Sequence, residues 1–451
     1  MRLENSFFLL IKLFVMKRDI LKELIEWKES PMRLPLIMTG VRQCGKTYIL
    51  QKFGKENYPH VAYVNFEQDG KFVSVFETDL RPQRILSDFA LMGVSVSRDT
   101  LLILDEIQLC PRAITSLKYF AEQMPELHIV AAGSLLGVVL NRGGISFPVG
   151  KVRQMTLYPM SFREFATAMG KEPLLDAIGN NVALDAPLPE HYAQPLEVLL
   201  RDFYAVGGMP SCVRCWKESH DMEQVERLQL QILSDYQNDF AKHAPTSDIP
   251  KLGWIWDSVP VQLAKENNKF VFSHVRESKR SSELEDALRW LVDAGLIYTH
   301  KLVENIEIPL SCYANSTHFK VYMVDVGLMR AKIRLPIEAL MTKSAEYQTF
   351  KGAFTENYVK TELVKQGIES YYWRSKNAAE VDFVFQSGTR ILPLEAKAEL
   401  STNAKSYSVF CKRFNSTIGF KVSMKNVGLN DVGSTHTYSL PLYMLWRLKS
   451  Y

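Results

Sequence analysis

The feature that most constrains this chain is a glycine-rich segment, GVRQCGKT, at residues 40–47. An apolar run, LPLIMTG, leads into it, and a helical pattern follows it. Glycines at this spacing let a loop turn its backbone N–H groups toward phosphate oxygens, and the following helix presents its N-terminus to the same anion. The segment therefore predicts a phosphate-binding loop, or P-loop.

Each residue type in this loop has an expected role. Lys46 should reach the β- and γ-phosphates of ATP and support its hydrolysis, and the Thr47 hydroxyl should coordinate Mg²⁺. The alternative, a glycine turn with an incidental lysine, fits the strand–loop–helix setting poorly. With ATP and Mg²⁺ as ligands, the predicted nucleotide-binding residues of the loop are Gly40, Val41, Arg42, Gln43, Cys44, Gly45, Lys46 and Thr47.

A second motif, LLILDE, ends an apolar run with Asp105 and Glu106. Two carboxylates at the tip of a buried strand are costly without partners. We expect Asp105 to reach Mg²⁺ through water and Glu106 to act catalytically by polarising the attacking water. The alternative is a solvated strand end, which explains one carboxylate more easily than two.

Three further residues are weaker candidates at the same site. Ser134, at the end of the run HIVAAGS, is predicted to contact the γ-phosphate or the attacking water, although serine after glycine is also common in turns. Arg142 and Arg153 could stabilise transition-state charge as an arginine finger, in the same subunit or in a neighbouring one. Surface arginines are common, so each is more often solvated than catalytic.

Short apolar runs alternate with helical patterns in the first third of the chain. This alternation predicts an α/β fold with a parallel sheet and helices on both faces. A helical and winged-helix region should follow, since Ser282 and Glu285 have capping-box spacing and the strand pattern LIYTHKLV comes after them. The basic run of Arg276, Lys279 and Arg280 precedes that helix and could meet nucleic-acid phosphates.

Four segments are predicted from these patterns. The apolar run at residues 7–15 is interrupted by Lys12 and lacks a small-residue cleavage site, and an amphipathic helix pattern begins at Met16. We therefore expect a disordered or non-native extension first, and then the folded chain. The segments are 1–15 (extension), 16–170 (P-loop ATPase domain), 171–335 (helical and winged-helix region) and 336–451 (C-terminal α/β domain).

Composition limits the class of protein. The chain has 451 residues, of which 47% are hydrophobic, and this predicts two or three folded domains. The net charge of +4 neither requires nor opposes a nucleic-acid partner. Six scattered cysteines form no disulfide framework, which favours a reducing compartment and a cytoplasmic location. No apolar stretch reaches eighteen residues, so no membrane association is expected.

The C-terminal segment carries a second candidate site. Asp382 is followed by Glu395 and Lys397, which matches the D-x(n)-(D/E)-x-K pattern of metal-dependent nucleases. Glu395 and Lys397 are two apart on a strand and share a face, while Glu356 lies on the apolar stripe of a helix. Together the carboxylates could hold a metal ion that activates water against a phosphodiester. The alternative is a structural cluster of ion pairs with Lys397 and Arg374.

Several segments together carry a resemblance to a known family: MKRDILKELIEWKESPMRLPLIMTGVRQCGKT, LLILDEIQ, AAGSLLG, FPVGKVRQMTLYPMSFREF, FYAVGGMPS, VYMVDVGL, GAFTENYVKTEL and YYWRSKNAAEVDFVF with LPLEAKA. In these the chain is similar to prokaryotic AAA-type ATPases with a conserved C-terminal domain of unknown function. The resemblance implies ATP binding and a C-terminal domain like restriction endonucleases. Members often have a glycine–arginine pair before the fifth strand, where this chain has Gly150 and Lys151.

These observations lead to one main functional prediction and two alternatives. The main prediction is an AAA-type ATPase that hydrolyses ATP with Mg²⁺ and acts on or with DNA or another nucleic acid. The first alternative is a nucleotide-dependent switch that assembles with itself or a protein partner, its C-terminal domain being inactive. The second is a small-molecule kinase, which the water-activating Glu106 argues against.

Overall fold

The structure is a computed structural model that describes residues 16–142, 147–181, 185–265, 269–277, 280–341, 348–375, 379–398 and 405–450. The predicted N-terminal extension, residues 1–15, lies outside the described residues. So do Lys279 of the basic run and the side chain of Arg142.

A five-stranded parallel sheet forms the first part of the chain, as predicted. Its strand order is β2-β3-β4-β1-β5. The strands are β1 (Leu36–Thr39), β2 (His60–Asn65), β3 (Thr100–Asp105), β4 (His128–Ala132) and β5 (Arg153–Thr156). The surrounding helices are α1 (Ile20–Glu29), α2 (Lys46–Asn57), α3 (Lys71–Thr78), α4 (Pro82–Leu91), α5 (Pro111–Gln123) and α6 (Leu136–Arg142).

Helices cover both faces of this sheet because its strands are apolar on both faces. In β1, Leu36 and Met38 join a hydrophobic cluster that includes residues of α1 and α2, whereas Ile37 joins another that includes residues of α3, α4 and α5. All six residues of β3 are buried. Strands buried on both faces are typical of parallel sheets covered by helices, so the predicted P-loop NTPase fold is confirmed.

The middle of the chain is helical. Its helices are α7 (Phe162–Ala168), α8 (Glu172–Asn181), α9 (Glu190–Val206), α10 (Pro210–Ser219), α11 (Met222–His243), α12 (Ile249–Leu263), α13 (Phe272–Val275) and α14 (Ser281–Asp293). Helix α14 begins one residue before the predicted cap, Ser282, and its N-terminus is closed by Glu283, which accepts a hydrogen bond from Arg280 N–H at 3.0 Å. The predicted pair of Ser282 and Glu285 is therefore not the cap. Across the described segments, no helix is long and apolar enough to cross a membrane.

An eight-stranded mixed sheet forms the rest of the chain. Its order is β12-β13-β11-β10-β9-β8-β6-β7. The strands are β6 (Ile297–Val303), β7 (Ala314–Met323), β8 (Ser370–Arg374), β9 (Glu380–Ser387), β10 (Arg390–Ala396), β11 (Ile418–Ser423), β12 (Gly428–Val432) and β13 (Thr435–Pro441). The accompanying helices are α15 (Val326–Lys332), α16 (Ile337–Met341), α17 (Gln348–Lys365) and α18 (Lys405–Phe414).

The hairpin of β6 and β7, which the sequence assigned to a winged-helix unit, is part of this large sheet. Strand β6 pairs in parallel with β8, with Leu302 opposite Tyr372 and Val303 opposite Trp373. The predicted boundary between residues 335 and 336 therefore does not separate two sheets. Sequence patterns define strands but not their partners, and this hairpin pairs with a strand about seventy residues further along the chain.

Candidate nucleotide-binding site

The P-loop adopts the conformation that its glycines permit. Gly40, Gln43 and Gly45 have positive φ angles of 143°, 65° and 98°. A Cβ on Gly40 would lie 2.2 Å from the carbonyl oxygen of Leu157, so only glycine fits there. Positive φ within a short run lets consecutive N–H groups face one concave side, where they can hold an anion.

Lys46 lies inside this loop and not in solvent. It is the first residue of α2 and is 7% exposed. Its Nζ donates hydrogen bonds to the carbonyl oxygens of Gly40 at 2.7 Å and Val41 at 3.0 Å. The predicted phosphate-binding cation thus faces the loop that is predicted to hold the phosphates.

Asp105 lies beside the P-loop and is 2% exposed. Its Oδ2 accepts hydrogen bonds from the Thr47 hydroxyl at 2.7 Å and the Tyr63 hydroxyl at 2.8 Å, and its Oδ1 accepts one from the Glu106 N–H at 3.0 Å. Burial raises the pKa of Tyr63 to about 12, and its bond to Asp105 acts in the same direction. The contact between Thr47 and Asp105 joins the two residues that the sequence assigned to Mg²⁺.

Glu106 is held by a residue that the sequence reasoning missed. Its backbone is in the left-handed region, with φ of 52°, which is uncommon for a residue other than glycine. The side-chain amide of Gln108 donates to Glu106 Oε2. A Cβ on Gly133 would lie 2.0 Å from Gln108 Oε1. The Gln108 amide therefore fills the space between Glu106 and Gly133, the residue before Ser134. Gln108 belongs to the same run, DEIQ, as Glu106, but its local sequence does not distinguish it from a surface glutamine.

Ser134 lies close to the P-loop, and its contact with the γ-phosphate or the attacking water stays a prediction. It lines a cavity of about 360 Å³ together with Gly40 and Val41. The opposite wall comes from the end of α14 and the start of β6, including Asp293 and Tyr298. The carboxyl ends of β1 and β4 thus meet at one edge of the sheet, where ligands bind in open α/β folds.

A second cavity, of about 210 Å³, adjoins the other side of the P-loop. Its lining is largely apolar and includes Met16, Gly45, Tyr48, Pro210 and Arg214. These residues come from the segment before α1, from the P-loop and α2, and from the start of α10. Sequence reasoning did not identify this cavity because its walls are distant in sequence.

Arg18 is another residue that sequence reasoning missed, and it ties three parts of the domain together. It is 7% exposed. Its guanidinium donates to Glu164 Oε1 at 3.0 Å, to the Cys44 carbonyl at 3.0 Å and to the Tyr158 carbonyl at 2.5 Å. A buried guanidinium with several acceptors is a rigid support, and this one fixes the carbonyl of a P-loop residue.

Of the two candidate arginine fingers, the structure describes the side chain of Arg153 but not that of Arg142. Arg153 is exposed and pairs in register with Leu36 at the amino end of β1, whereas the P-loop follows the carboxyl end of that strand. Arg153 therefore does not reach the P-loop of its own chain, so the structure does not support Arg153 as an arginine finger within the same subunit. Lys151, at the position where the similar family often has arginine, forms an ion pair with Glu122 at 3.1 Å.

Two of the three predicted C-terminal metal ligands, Glu356 and Glu395, pair with lysines. Glu356 Oε2 accepts from Lys320 Nζ at 3.1 Å and from the Tyr322 hydroxyl at 2.9 Å, and Lys320 also pairs with Glu380 at 2.7 Å. Lys320 is 1% exposed. Its pKa is raised well above the usual value because the nearby negative charges, that of Glu356 foremost, outweigh desolvation.

The other two predicted metal ligands are also engaged. Asp382 Oδ2 accepts from Ala396 N–H at 2.9 Å, and Glu395 Oε1 pairs with Lys397 Nζ at 2.7 Å. Burial, with the charge of Glu395 next, raises the pKa of Asp382 well above its usual value. Among the residues that the structure describes, no group of three or more His, Cys, Asp or Glu side chains is placed to hold a metal ion. Lys320 pairs with Glu356 and Lys397 pairs with Glu395, whereas Asp382 accepts its hydrogen bond from a backbone N–H group. The metal site expected from the sequence stays a prediction.

Comparisons with known proteins agree with this fold. Residues 32–166 match the family model of an AAA domain. Residues 197–338 and 351–443 match the models of two domains of unknown function, DUF8612 and DUF4143. The first part of the chain is therefore an AAA-type P-loop domain. A comparison with curated proteins gave no match.

Several solved structures are similar to this chain. The Walker-type ATPase of Pyrococcus abyssi is 13% identical over 71% of this chain and 96% of its own, with a TM-score of 0.44. The ORC2 protein of Aeropyrum pernix is 12% identical over 71% of this chain and 91% of its own, with a TM-score of 0.34. The ORC1 protein of Aeropyrum pernix, solved with DNA, is 12% identical over 74% of this chain and 97% of its own, with a TM-score of 0.30.

Proposed function

We propose that this chain binds ATP with Mg²⁺ at its P-loop and hydrolyses it. One observation carries the proposal: the Thr47 hydroxyl bonds to Asp105 at 2.7 Å, at the sheet edge where Glu106 follows. This contact brings residues from two separate motifs into one site beside a loop shaped for phosphates. A hydroxyl and a carboxylate are oxygen donors, which are the ligands that Mg²⁺ prefers.

Each side chain has a defined task in this proposal. Thr47 and Asp105 would hold Mg²⁺, which when bound neutralises charge on the phosphate oxygens. Lys46 exchanges its loop carbonyls for the β- and γ-phosphates, and the loop N–H groups hold the same oxygens. Glu106 accepts a proton from the attacking water, and Gln108 orients the Glu106 carboxylate through its amide hydrogen bond.

The apolar cavity beside Gly45 suits the base of the nucleotide. Met16, Tyr48 and Pro210 supply apolar and aromatic surface for a planar ring. Aromatic and apolar walls with few polar groups are usual for the part of a pocket that holds a base. The nucleotide would then contact the segment before α1, α2 and α10 together.

Replacing Glu106 with glutamine tests the hydrolytic role. We expect Glu106→Gln to bind ATP as the unaltered chain does while phosphate release falls by roughly a hundredfold or more, because the base is removed and the side-chain size is kept. Glu126→Gln is the matched control, since Glu126 is exposed in the loop before β4. If Glu106→Gln releases phosphate at the unaltered rate, another group activates the water.

A nucleotide-dependent switch that acts on a protein partner or on oligomerisation is the second candidate function. The contacts of α11 with the P-loop favour it: Gln43 donates to Asp235 at 2.7 Å and the Tyr236 hydroxyl donates to the Arg42 carbonyl at 3.1 Å. A change in the loop would thus reach a long helix directly. Slow turnover and an ATP-dependent change in sedimentation would support a switch, and fast turnover with unchanged sedimentation would contradict it.

The exposed face of α14, the helix that follows the basic run, is not basic: it carries Glu285, Asp286 and one arginine, Arg289. The charges of Glu285 and Asp286 repel phosphates. Arg276 stacks on Trp254, with its guanidinium carbon 4.2 Å from the ring centroid. We therefore expect ATP turnover to be the same with and without DNA. Stimulation of turnover by DNA would instead support the nucleic-acid partner predicted from the sequence.

A further inference from the structure

One helix, α11, contacts the P-loop from outside at two of the four positions that the glycine-rich motif leaves free. Arg42 forms an ion pair with Asp239, and Gln43 donates to Asp235 at 2.7 Å. Between these two carboxylates, the Tyr236 hydroxyl donates to the Arg42 carbonyl at 3.1 Å. Asp235 and Asp239 are one helical turn apart, so they lie on the same side of α11.

The contact of Tyr236 fixes the direction of a peptide group. In a trans peptide the C=O and the following N–H point in opposite directions. Because Tyr236 holds the Arg42 carbonyl toward α11, the N–H of Gln43 points away from α11. Gln43 has φ of 65°, the conformation in which successive N–H groups face an anion.

The contact of Asp239 is costly to break. The Asp239 side chain is 7% exposed, whereas that of Arg42 is 41% exposed. A buried carboxylate that loses its cationic partner pays a large desolvation penalty. Arg42 is therefore held against α11 more firmly than a surface ion pair would hold it. The exposed contact of Gln43 with Asp235 contributes less.

We propose that Tyr236 and Asp239 are positioning residues of the nucleotide site: by holding Arg42, they set the P-loop in the conformation that binds the phosphates of ATP. The inference rests on the proposed function. Neither residue needs to touch the nucleotide, and both act through the backbone of the loop. Nucleotide affinity then depends on Asp239, a residue 197 positions away in sequence from Arg42.

The test uses the full chain and three variants, with ATP affinity and steady-state hydrolysis as readouts. We expect Tyr236→Phe to weaken ATP binding by about three- to tenfold and Asp239→Asn by about tenfold, from the loss of one hydrogen bond and one buried ion pair. KM should rise while kcat stays within about twofold, because the catalytic groups are untouched. Glu223→Gln, at an exposed carboxylate on the same helix, should leave both values unchanged.

A double-mutant comparison separates positioning from general destabilisation. If Asp239 acts through Arg42, adding Asp239→Asn to Arg42→Met should cost less than about twofold further in affinity. Additive losses would overturn the inference, as would a lowered melting temperature with unchanged KM. If the unaltered chain binds ATP and all variants match it, only this inference fails. If the unaltered chain binds no ATP, the proposed function fails as well.

Discussion

The P-loop site and the C-terminal carboxylate cluster both bury acidic residues beside strands, but the partners of these carboxylates differ between the two regions. At the P-loop, Asp105 accepts hydrogen bonds from the neutral hydroxyls of Thr47 and Tyr63. In the C-terminal cluster, Lys320 places a buried ammonium between Glu356 and Glu380. A carboxylate with neutral donors can still take a cation, whereas one already paired with lysine has its counter-ion.

The largest change in stability should come from removing the ammonium group of Lys320. We expect Lys320→Met to lower the free energy of unfolding by about 3 kcal/mol or more, because two acidic partners lose the buried ammonium. Denaturant unfolding measures the change. Lys301→Met, at an exposed lysine on the neighbouring strand β6, is the control and should change stability little. Equal stability of the two variants would mean that the cluster does not depend on Lys320.

The next effect concerns a buried lysine, Lys360, to which the described residues offer no carboxylate within hydrogen-bond distance. Lys360 Nζ lies 3.2 Å from Ser370 Oγ and 3.4 Å from His300 Nδ1. Desolvation lowers the pKa of Lys360 from 10.5 to about 8. The unfolded chain then binds more protons between these values, so the stability contributed by Lys360 should increase as pH rises from about 8 to 10.5.

The Lys360→Met variant isolates this effect from other alkaline titrations. Relative to the variant, the unaltered chain should gain roughly 3 kcal/mol of stability across this range at most. Urea unfolding of both proteins at several pH values gives the difference. A difference that stays constant with pH would show that Lys360 keeps an ordinary pKa in the folded chain.

The smallest effect is expected from metal at the C-terminal cluster. Because Glu356 is already paired with Lys320 and Glu395 with Lys397, Mn²⁺ without nucleotide should not raise the melting temperature. The same result is expected for Asp382→Asn. A rise with Mn²⁺ that disappears in Asp382→Asn would restore the metal site predicted from the sequence, and the two regions would then be alike.

The sequence predicts what is local along the chain. The loop at residues 40–47 and the pair Asp105 and Glu106 are each contiguous, and the apolar strands before them place both at the carboxyl edge of one sheet. The strand period also predicts that Glu395 and Lys397 share a face, and they form an ion pair at 2.7 Å. Periodicity and glycine spacing are sufficient for such features.

Contacts between distant segments could not be predicted in this way. Arg18 reaches Glu164 across 146 residues, and Lys320 reaches Glu356 from a hairpin that joins the large sheet through β8. Each lysine or arginine looks like an ordinary surface residue in its own segment. Only the pairing of strands and the packing of helices reveal that these charges are buried.

The central claim, that the P-loop holds ATP, is tested most directly by calorimetric titration of ATP into the full chain with Mg²⁺. We predict saturable binding at about one ATP per chain, since the sequence carries one such loop. Lys46→Ala should weaken this binding by roughly a hundredfold, because charge-assisted hydrogen bonds to the phosphates are lost. Undiminished affinity in Lys46→Ala, or no binding by the unaltered chain, would contradict the claim.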